Sequence, residues 1–338
     1  MRTPTVLVTG ANGEIGHGLI TRLAAEEARV VTLDVNPLDP ELARLVHREI
    51  TGSILDQGVL ERMLAEYEVD RLFHLAALLS ARSEYTPVSA HRVNVEGTLN
   101  LLEFAHREGE SQGRPVVFVF PSSMAVYGLP DADTRARAGR VTEDQWNVPV
   151  TMYGCNKLYC EQLGRYYARH YKQLGAGGPS GHVDFRCVRF PGLISAVTVP
   201  SGGSSDYAPE MTHAAARGQA YACFVRPDTR IPFLAMPDAI DALLRVAAAP
   251  QEALTRTGYN VGAFNPSADE FRQVVRGAFP DATITYRVDD RRQAIVDSWP
   301  QELDDTAARR DWGFAPRYDF ERAFSEYLIP TVRARYAS

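Results

Sequence analysis

A glycine-rich turn close to the start of the chain constrains the fold more than any other part of the sequence. The apolar run at residues 5–10 predicts a buried strand, and residues 14–28 predict an amphipathic helix. Gly10, Gly13 and Gly16 lie in the turn between them. Glycine lets a backbone turn tightly and approach a pyrophosphate, and the N-terminus of the following helix attracts phosphate. The turn therefore predicts a dinucleotide site on a strand–turn–helix unit, with a purely structural turn as the alternative.

Further apolar, β-branched runs alternate with amphipathic segments over the first half of the chain. They predict strands at 30–34, 73–77, 116–120 and 185–190 and helices at 56–67, 87–109 and 152–173. This alternation is typical of an α/β protein with a Rossmann-like, doubly wound parallel sheet. We assign residues 1–190 plus about 231–261 to the domain built on this sheet. Residues 191–230 plus 262–338 then form a smaller mixed substrate lobe over the carboxyl ends of the strands.

Composition excludes several classes of function. The 338-residue chain has a net charge of −6 and no run of five basic residues, which argues against nucleic-acid binding. Its four cysteines lack CxxC spacing and its histidines form no HExxH motif, which argues against a metal site. No apolar run reaches the roughly 20 residues needed to span a membrane, and no signal-peptide pattern precedes the first strand. We therefore expect a cytoplasmic protein with no metal, membrane or nucleic-acid partner.

An aspartate at the end of the second predicted strand indicates which dinucleotide binds. Asp34 follows the glycines at about the distance, some 20 residues, at which a carboxylate accepts hydrogen bonds from the adenosine ribose hydroxyls. It would repel a 2′-phosphate, and no arginine follows it directly. The cofactor prediction is therefore NAD rather than NADP. The alternative is a solvated aspartate without a ligand.

The segment YGCNK (153–157) holds a tyrosine and a lysine one helical turn apart, so that both face the same way. A free tyrosine, with a pKa of about 10, is a poor base at neutral pH. A nearby ammonium favours the phenolate, so we expect Lys157 to lower the pKa of Tyr153. Tyr153 could then take a proton from a substrate hydroxyl while hydride leaves for NAD. Without the other motifs, the pair would more simply be two residues on a helix surface.

Several motifs occur in a fixed order: TGANGEIG (9–16), HLAA (74–77), NVEGT (94–98), PSSMAVYG (121–128), YGCNK and RFPG (189–192). The set resembles the extended short-chain dehydrogenase/reductase family, within the NAD-dependent epimerase/dehydratase superfamily. The resemblance implies that Ser123 hydrogen-bonds the reacting oxygen beside Tyr153 and Lys157, the three catalytic residues. It assigns cofactor contacts to Gly10, Asn12, Gly13, Glu14, Ile15, Gly16, Asp34, Ser53, Ile54, Leu75, Ala76, Ala77, Asn94, Ser122, Tyr153, Lys157, Phe190 and Pro191.

One cofactor position departs from the family pattern. Relatives usually have an aspartate that meets the adenine amino group, and the register to HLAA puts Ser53 there. A serine hydroxyl can still accept a hydrogen bond, and the backbone of Ile54 could contribute. We therefore assign this contact to Ser53, with Asp56 as the lesser candidate.

Segments outside the cofactor motifs bear on the substrate. Residues 74–81, 184–195, 200–208 and 291–313 are similar to the short-chain type of L-threonine 3-dehydrogenases. The resemblance implies an oxidoreductase that converts L-threonine, or a related small hydroxy amino acid, to 2-amino-3-ketobutyrate with NAD. It assigns contacts with this zwitterion to Ser80, Ser123, Ser204, Asp206 and Trp299, with Asp206 as partner of the ammonium and Trp299 closing the pocket. The alternatives for the last two are a flexible linker around 200–209 and a core tryptophan.

Two rival functions remain open at this point. A sugar-nucleotide epimerase or dehydratase shares the cofactor motifs and the Tyr–Lys pair. Such an enzyme needs cations for a diphosphate, which Arg217, Arg226 and Arg230 could provide. A non-catalytic NAD-sensing protein is the second rival, but it would not need Ser123, Tyr153 and Lys157 together.

Other features carry open alternatives. Residues 128–140 and 173–182 look like surface insertions, and the first could be a lid or decoration. Arg186 and Arg189 could anchor substrate or be structural. The resemblance implies a homodimer formed through helices at about 92–108 and 152–172. The apolar residues that the second helix offers to a partner are Leu158, Leu163, Tyr166 and Tyr167.

Overall fold

The computed structural model describes residues 3–26, 28–175, 181–200 and 202–337. Its strands are β1 Thr5–Thr9, β2 Arg29–Asp34, β3 Arg48–Thr51, β4 Val69–His74, β5 Val116–Ser123, β6 Arg140–Val141, β7 Val183–Phe190, β8 Gly192–Ile194, β9 Tyr221–Cys223, β10 Phe233–Ala235, β11 Gly258–Asn260, β12 Ile284–Tyr286 and β13 Glu302–Leu303. Seven of them form one parallel sheet in the order β11-β7-β5-β4-β1-β2-β3. The predicted doubly wound parallel sheet is confirmed.

The helices are α1 Glu14–Ala25, α2 Pro40–Ala43, α3 Gln57–Glu66, α4 Ser80–Tyr85, α5 Pro87–His91, α6 Gly97–Gln112, α7 Ala132–Ala138, α8 Met152–Arg169, α9 Tyr207–Ala216, α10 Met236–Ala248, α11 Ala268–Ala278, α12 Asp290–Asp297, α13 Thr306–Trp312, α14 Phe320–Arg322 and α15 Ile329–Tyr336. A π-helical turn, Arg92–Glu96, joins α5 to α6, and a second, Ala323–Leu328, joins α14 to α15. Short 3-10 turns lie at Met124–Val126 and Gln251–Ala253.

Strand β1 shows why the sheet strands are apolar throughout. Val6 and Val8 belong to the core on the face covered by α1 and α10, while Leu7 belongs to the core on the opposite face, under α3, α6 and α8. Alternate side chains of a strand point to opposite faces, so a strand covered on both sides has no polar face. The strand predicted at 73–77 is present with earlier bounds, as β4 at Val69–His74. β4 ends at His74 because Leu75–Ala77 leave the sheet and line the cavity described below.

The second half of the chain builds a separate apolar core. Tyr207, Phe233, Phe271 and Phe324 are buried in it, and their rings meet mostly edge to face. The short pairs β8–β10, β9–β12 and β6–β13 flank this core. Farther along the chain, α13 returns to the sheet, where Trp312 packs edge to face on Tyr259. The division of the chain at residues 190, 231 and 262 stays a prediction.

The structure changes two predictions, one about the surface of α8 and one about the segment 128–140. Of the apolar residues proposed for a partner on α8, Leu158, Leu163 and Tyr167 pack against the cores, and Tyr166 is exposed. The segment 128–140 is largely exposed, as expected for an insertion, but its Arg135 is only 6% exposed. In the other insertion, residues 176–180 lie outside the described residues. Within the described ranges, no helix combines the length and the apolar character needed to cross a membrane.

Candidate active site

The glycine turn between β1 and α1 leaves a space that side chains at the glycine positions would fill. Gly10 has φ +66°, and a Cβ on it would lie 2.4 Å from the backbone nitrogen of Ala76. A Cβ on Gly16 would lie 2.1 Å from the carbonyl oxygen of Ala11. Gly13 precedes α1 without a side-chain cap, so the first N–H groups of the helix remain available to an anion. Backbone exposed at a helix N-terminus fits the pyrophosphate of a dinucleotide.

Asp34 fixes the turn from the neighbouring strand. One carboxylate oxygen accepts a hydrogen bond from the Asn12 N–H at 3.0 Å, and the other accepts one from the Asn36 N–H at 2.9 Å. The carboxylate therefore ties the end of β2 to the phosphate-binding turn. It also lines the cavity, in the position that a ribose-binding carboxylate needs.

A cavity of about 550 Å³ runs along the carboxyl edge of the sheet and reaches the second core. Its lining includes all but two of the predicted site residues: Gly10, Asn12, Gly13, Glu14, Ile15, Gly16, Asp34, Ser53, Ile54, Leu75, Ala76, Ala77, Ser80, Ser122, Ser123, Tyr153, Lys157, Phe190, Pro191, Asp206 and Trp299. The fold thus brings together residues that are far apart in the chain.

The two residues outside the lining are Asn94 and Ser204. The side chain of Asn94 donates to the Leu78 carbonyl at 3.0 Å and accepts from the Leu78 N–H at 2.8 Å. It therefore fixes the position of the loop after β4. Ser204 is buried beside the cavity, and Ser205 lines it instead. Neighbouring residues of a tight turn point in different directions, so a one-residue error in register changes which serine faces the ligand.

The structure distinguishes the two candidates for the adenine contact. Ser53 lines the cavity, and its hydroxyl accepts from the Leu55 N–H at 3.1 Å. Asp56 instead caps α3, accepting from the N–H groups of Gly58 and Val59 at 2.9 and 3.2 Å. Its carboxylate therefore stabilises a helix start, and the preference for Ser53 stays the better prediction.

Tyr153 and Lys157 lie on the first two turns of α8, whose N-terminus Thr151 caps. Lys157 Nζ donates to the Pro121 carbonyl at 2.7 Å, and it lies 4.4 Å from the ring centroid of Phe120 and 5.6 Å from that of Tyr153. Tyr153 and Ser123 line the same stretch of cavity. Among the described residues, Tyr153 Oη has no hydrogen-bond partner, which leaves it free for a ligand.

The expected lowering of the Tyr153 pKa is not present in the protein alone. Burial raises the pKa of Tyr153 above its ordinary value. Burial also lowers the pKa of Lys157 to about 8, opposed by nearby negative groups that include Glu161. The phenol is half-buried at the cavity wall and hydrogen-bonds none of the described side chains, so its partial removal from water dominates. The lysine alone does not make Tyr153 a base; a charged cofactor would have to supply the remaining stabilisation.

A buried ion pair lies next to the residues that hold Lys157. Arg189 donates to both carboxylate oxygens of Glu161, with the shortest contact 2.6 Å, and both residues are almost fully buried. Glu161 also accepts from the hydroxyl of Ser122, which follows Pro121, the residue that holds Lys157. Arg189 is therefore structural. Arg186 is structural too, because it pairs with Asp184 at 2.6 Å and does not line the cavity.

The loop before α9 is anchored rather than free. Arg292 on α12 donates to the Gly203 carbonyl at 2.7 Å and lies 3.2 Å from the ring centroid of Phe224. Asp206 accepts from the Gly203 N–H at 2.6 Å, which closes the turn. The described part of this loop is thus no linker. The segment 291–313 carries part of the family resemblance, but no local sequence pattern indicates which backbone Arg292 holds.

Comparisons with known proteins cover nearly the whole chain. A family model described as the NAD dependent epimerase/dehydratase family matches residues 6–262. The mitochondrial L-threonine 3-dehydrogenase of Bos taurus is 36% identical over 318 residues, 94% of this chain and 79% of that protein. The X-ray structure of L-threonine dehydrogenase from Clostridium difficile has a TM-score of 0.86 at 31% identity and covers 100% of both chains. A monomeric L-threonine 3-dehydrogenase from a metagenome, in its apo form, has a TM-score of 0.84 at 33% identity, covering 98% of this chain and 99% of that one.

Proposed function

Because this chain belongs to the NAD-dependent epimerase/dehydratase family and is an NAD-dependent dehydrogenase, we propose that it oxidises the β-hydroxyl of L-threonine, or of a closely related small hydroxy amino acid, to the 3-keto product. For threonine the product is 2-amino-3-ketobutyrate. The observation that carries this proposal is the single cavity shared by the glycine turn, Tyr153 and Asp206. The cavity of about 550 Å³ lies within the usual range for small-molecule sites, and the substrate must share it with a dinucleotide, which favours a small substrate.

Each catalytic side chain has a distinct task in this reaction. Ser123 Oγ donates a hydrogen bond to the substrate hydroxyl oxygen and keeps it beside Tyr153. Tyr153 Oη, as phenolate, accepts the hydroxyl proton. Lys157, fixed by the Pro121 carbonyl, holds a positive charge near Tyr153 and favours its deprotonated form. When bound, NAD would supply the hydride acceptor for the carbon that carries this hydroxyl.

The ends of a zwitterionic substrate need opposite partners. Asp206, kept in place by the Gly203 N–H, is suited to the ammonium. Hydroxyls of Ser80 and Ser205 at the cavity wall are suited to the carboxylate. Trp299, 3% exposed, forms an apolar wall that excludes water from the reacting carbon.

The arginines that a sugar nucleotide would require are engaged elsewhere. Arg226 forms two hydrogen bonds with Asp297 at 2.9 Å, and Arg230 pairs with Glu270 at 2.7 Å. Arg217 donates to the His213 carbonyl at 3.3 Å. None of the three lines the described cavity. The arginine that does line it is Arg82 on α4, so a diphosphate, which needs cations, would have to rely on that residue in the epimerase or dehydratase alternative.

The activity is tested by mixing the protein with NAD and L-threonine and following reduced cofactor by absorbance. We expect turnover with NAD and much less with NADP, because Asp34 repels a 2′-phosphate. Turnover of a UDP-sugar with no signal from threonine would instead establish the epimerase alternative. Tight NAD binding without turnover of any substrate would favour the sensor.

A homodimer formed through α6 and α8 is the second part of the proposal. Leu99, Tyr159 and Tyr166 leave 38%, 55% and 39% of their surface exposed on these helices, and apolar side chains of this kind suit a partner helix pair. We expect light scattering to give twice the 37.4 kDa chain mass. Tyr159→Arg with Tyr166→Arg should reduce it to the monomer, whereas Leu45→Arg, at an exposed leucine elsewhere, should not. A monomeric parent would contradict the proposal.

A further inference from the structure

We propose that Arg135, in the segment 128–140, is a positioning residue that fixes Trp299 as the wall of the substrate cavity. The proposal rests on the proposed function for its effect on substrate binding, but not for its structural part. The segment would then be neither a lid nor decoration. It would be a fixed strap that shapes the substrate end of the cavity.

The contacts of Arg135 lead directly to the tryptophan. Its Nε donates to the Trp299 carbonyl at 2.7 Å across 164 residues of sequence. Another of its nitrogens donates to the Arg230 carbonyl, and a third lies 3.8 Å from Asp297. Only 6% of the residue is exposed. A buried guanidinium is costly unless its donors are used, and here they bond the backbone of Trp299 and of Arg230 and face the carboxylate of Asp297.

Further bonds fasten the same strap on either side. The Leu129 N–H donates to the Ser298 carbonyl at 2.8 Å. At the other end, β6 pairs in parallel with β13, and Arg140 contacts Asp305 at 3.0 Å. Trp299 is thus held at the residue before it, at its own carbonyl and at the strand after it.

The indole of Trp299 has no polar anchor of its own. Among the described residues its buried Nε1 finds no hydrogen-bond acceptor. Packing and the position of its backbone therefore decide where the ring lies, and Arg135 holds that backbone. A lid would have to break these buried bonds in every turnover, which makes a permanent wall the simpler arrangement.

The test compares Arg135→Lys with Arg137→Lys. Arg137 lies on the same short helix, α7, and is exposed, so its replacement controls for loss of an arginine there. Arg135→Lys keeps the charge but removes the Nε–H bond to Trp299. We expect KM for the amino acid to rise about tenfold with kcat and NAD affinity within about twofold, because the wall that contacts the amino acid shifts while Tyr153, Lys157 and the glycine turn keep their places, so that only binding common to ground and transition state is lost. Arg137→Lys should leave all three unchanged.

A spectroscopic signal makes the test independent of turnover. With 5-fluorotryptophan at the three tryptophans, the ¹⁹F resonance that disappears in Trp299→Phe identifies Trp299. Arg135→Lys should shift that resonance, and Arg137→Lys should not. If the parent does not oxidise threonine, the proposed function fails and the fluorine spectrum alone decides this proposal.

A double-mutant cycle separates positioning from general stability. In a Trp299→Ala background, Arg135→Lys should change KM by less than about twofold, because the ring that it positions is gone. An unshifted Trp299 resonance would overturn the proposal. So would an effect on KM that persists in the Trp299→Ala background.

Discussion

Replacing Tyr153 with phenylalanine is expected to reduce turnover by about a thousandfold while NAD binding stays close to that of the parent. A positioned acid–base group contributes about 10²–10⁴ in rate, and phenylalanine removes the group without removing the ring. Tyr153 Oη bonds to no described side chain, so its loss leaves no buried partner unsatisfied. Lys157 keeps its bond to the Pro121 carbonyl. The change should therefore affect chemistry and leave the fold intact.

Three measurements check this expectation: kcat with saturating threonine and NAD, NAD affinity by titration, and the melting temperature. Tyr159→Phe is the matched control, because Tyr159 lies on the same helix and is 55% exposed. It should retain parental turnover. A Tyr153→Phe enzyme that keeps more than a tenth of parental kcat would exclude Tyr153 as the base. Loss of NAD binding together with activity would instead make it a cofactor contact.

The cofactor half of the site was predictable because its constraints are local. The glycine at φ +66° belongs to a turn of a few residues, and the carboxylate of Asp34 ends the next strand after one helix. Tyr153 and Lys157 are local in the same way, since one helix brings them to one face. The spacing of these residues in the sequence is therefore enough to predict most of the geometry of the cofactor half. Strand–helix alternation likewise predicted the parallel sheet, whereas the order of its strands comes from the structure.

The substrate half depends on contacts between distant segments, which spacing does not encode. Arg135 and Trp299 are 164 residues apart, and Arg292 reaches Gly203 across 89. The exchange of Ser204 for Ser205 has a similar origin, because only the folded turn decides which hydroxyl faces the cavity. The prediction of a lowered pKa for Tyr153 was wrong for another reason. The prediction counted the nearby charge of Lys157 and left out the cost of burial, which is larger.

Replacing Glu161 with glutamine is expected to destabilise the protein and to change the pH dependence of catalysis. Removing one partner of a buried ion pair costs about 3–5 kcal/mol, because Arg189 would keep its charge without a counterion. Glu161 also raises the pKa of Lys157, which burial has lowered to about 8. The thiols of Cys160 and Cys187 cannot take over this role, since burial raises the pKa of both and leaves them neutral at pH 8.

The sign of the pH effect follows from these charges. Loss of the Glu161 carboxylate, with Arg189 left positive, lowers the pKa of Lys157 further below its ordinary value. Lys157 then loses its proton at a lower pH, and the phenolate of Tyr153 loses the neighbouring cation. The alkaline limb of kcat/KM that belongs to Lys157 should therefore move toward acid pH. Profiles of kcat/KM from pH 6 to 10, which report ionisations of the free enzyme, measure the displacement.

A second buried pair on the same strand provides the control. Asp184 accepts two hydrogen bonds from Arg186 at 3.1 and 2.6 Å, with burial like that of Glu161 and Arg189. Asp184→Asn should cost similar unfolding free energy in urea, yet leave the pH profile in place, because this pair holds the end of α10 and not Ser122. Should both variants displace the limb equally, Glu161 acts through stability alone.

If Glu161→Gln does not fold, Ser122→Ala tests the link, because it removes only the hydroxyl that joins Glu161 to the strand end beside Lys157. Ser122→Ala should then lower kcat with NAD affinity unchanged, at a cost of about 1 kcal/mol in stability for the lost hydrogen bond. Lost NAD affinity would make Ser122 the cofactor contact predicted above, and parental turnover would show that the pair does not reach the catalytic groups.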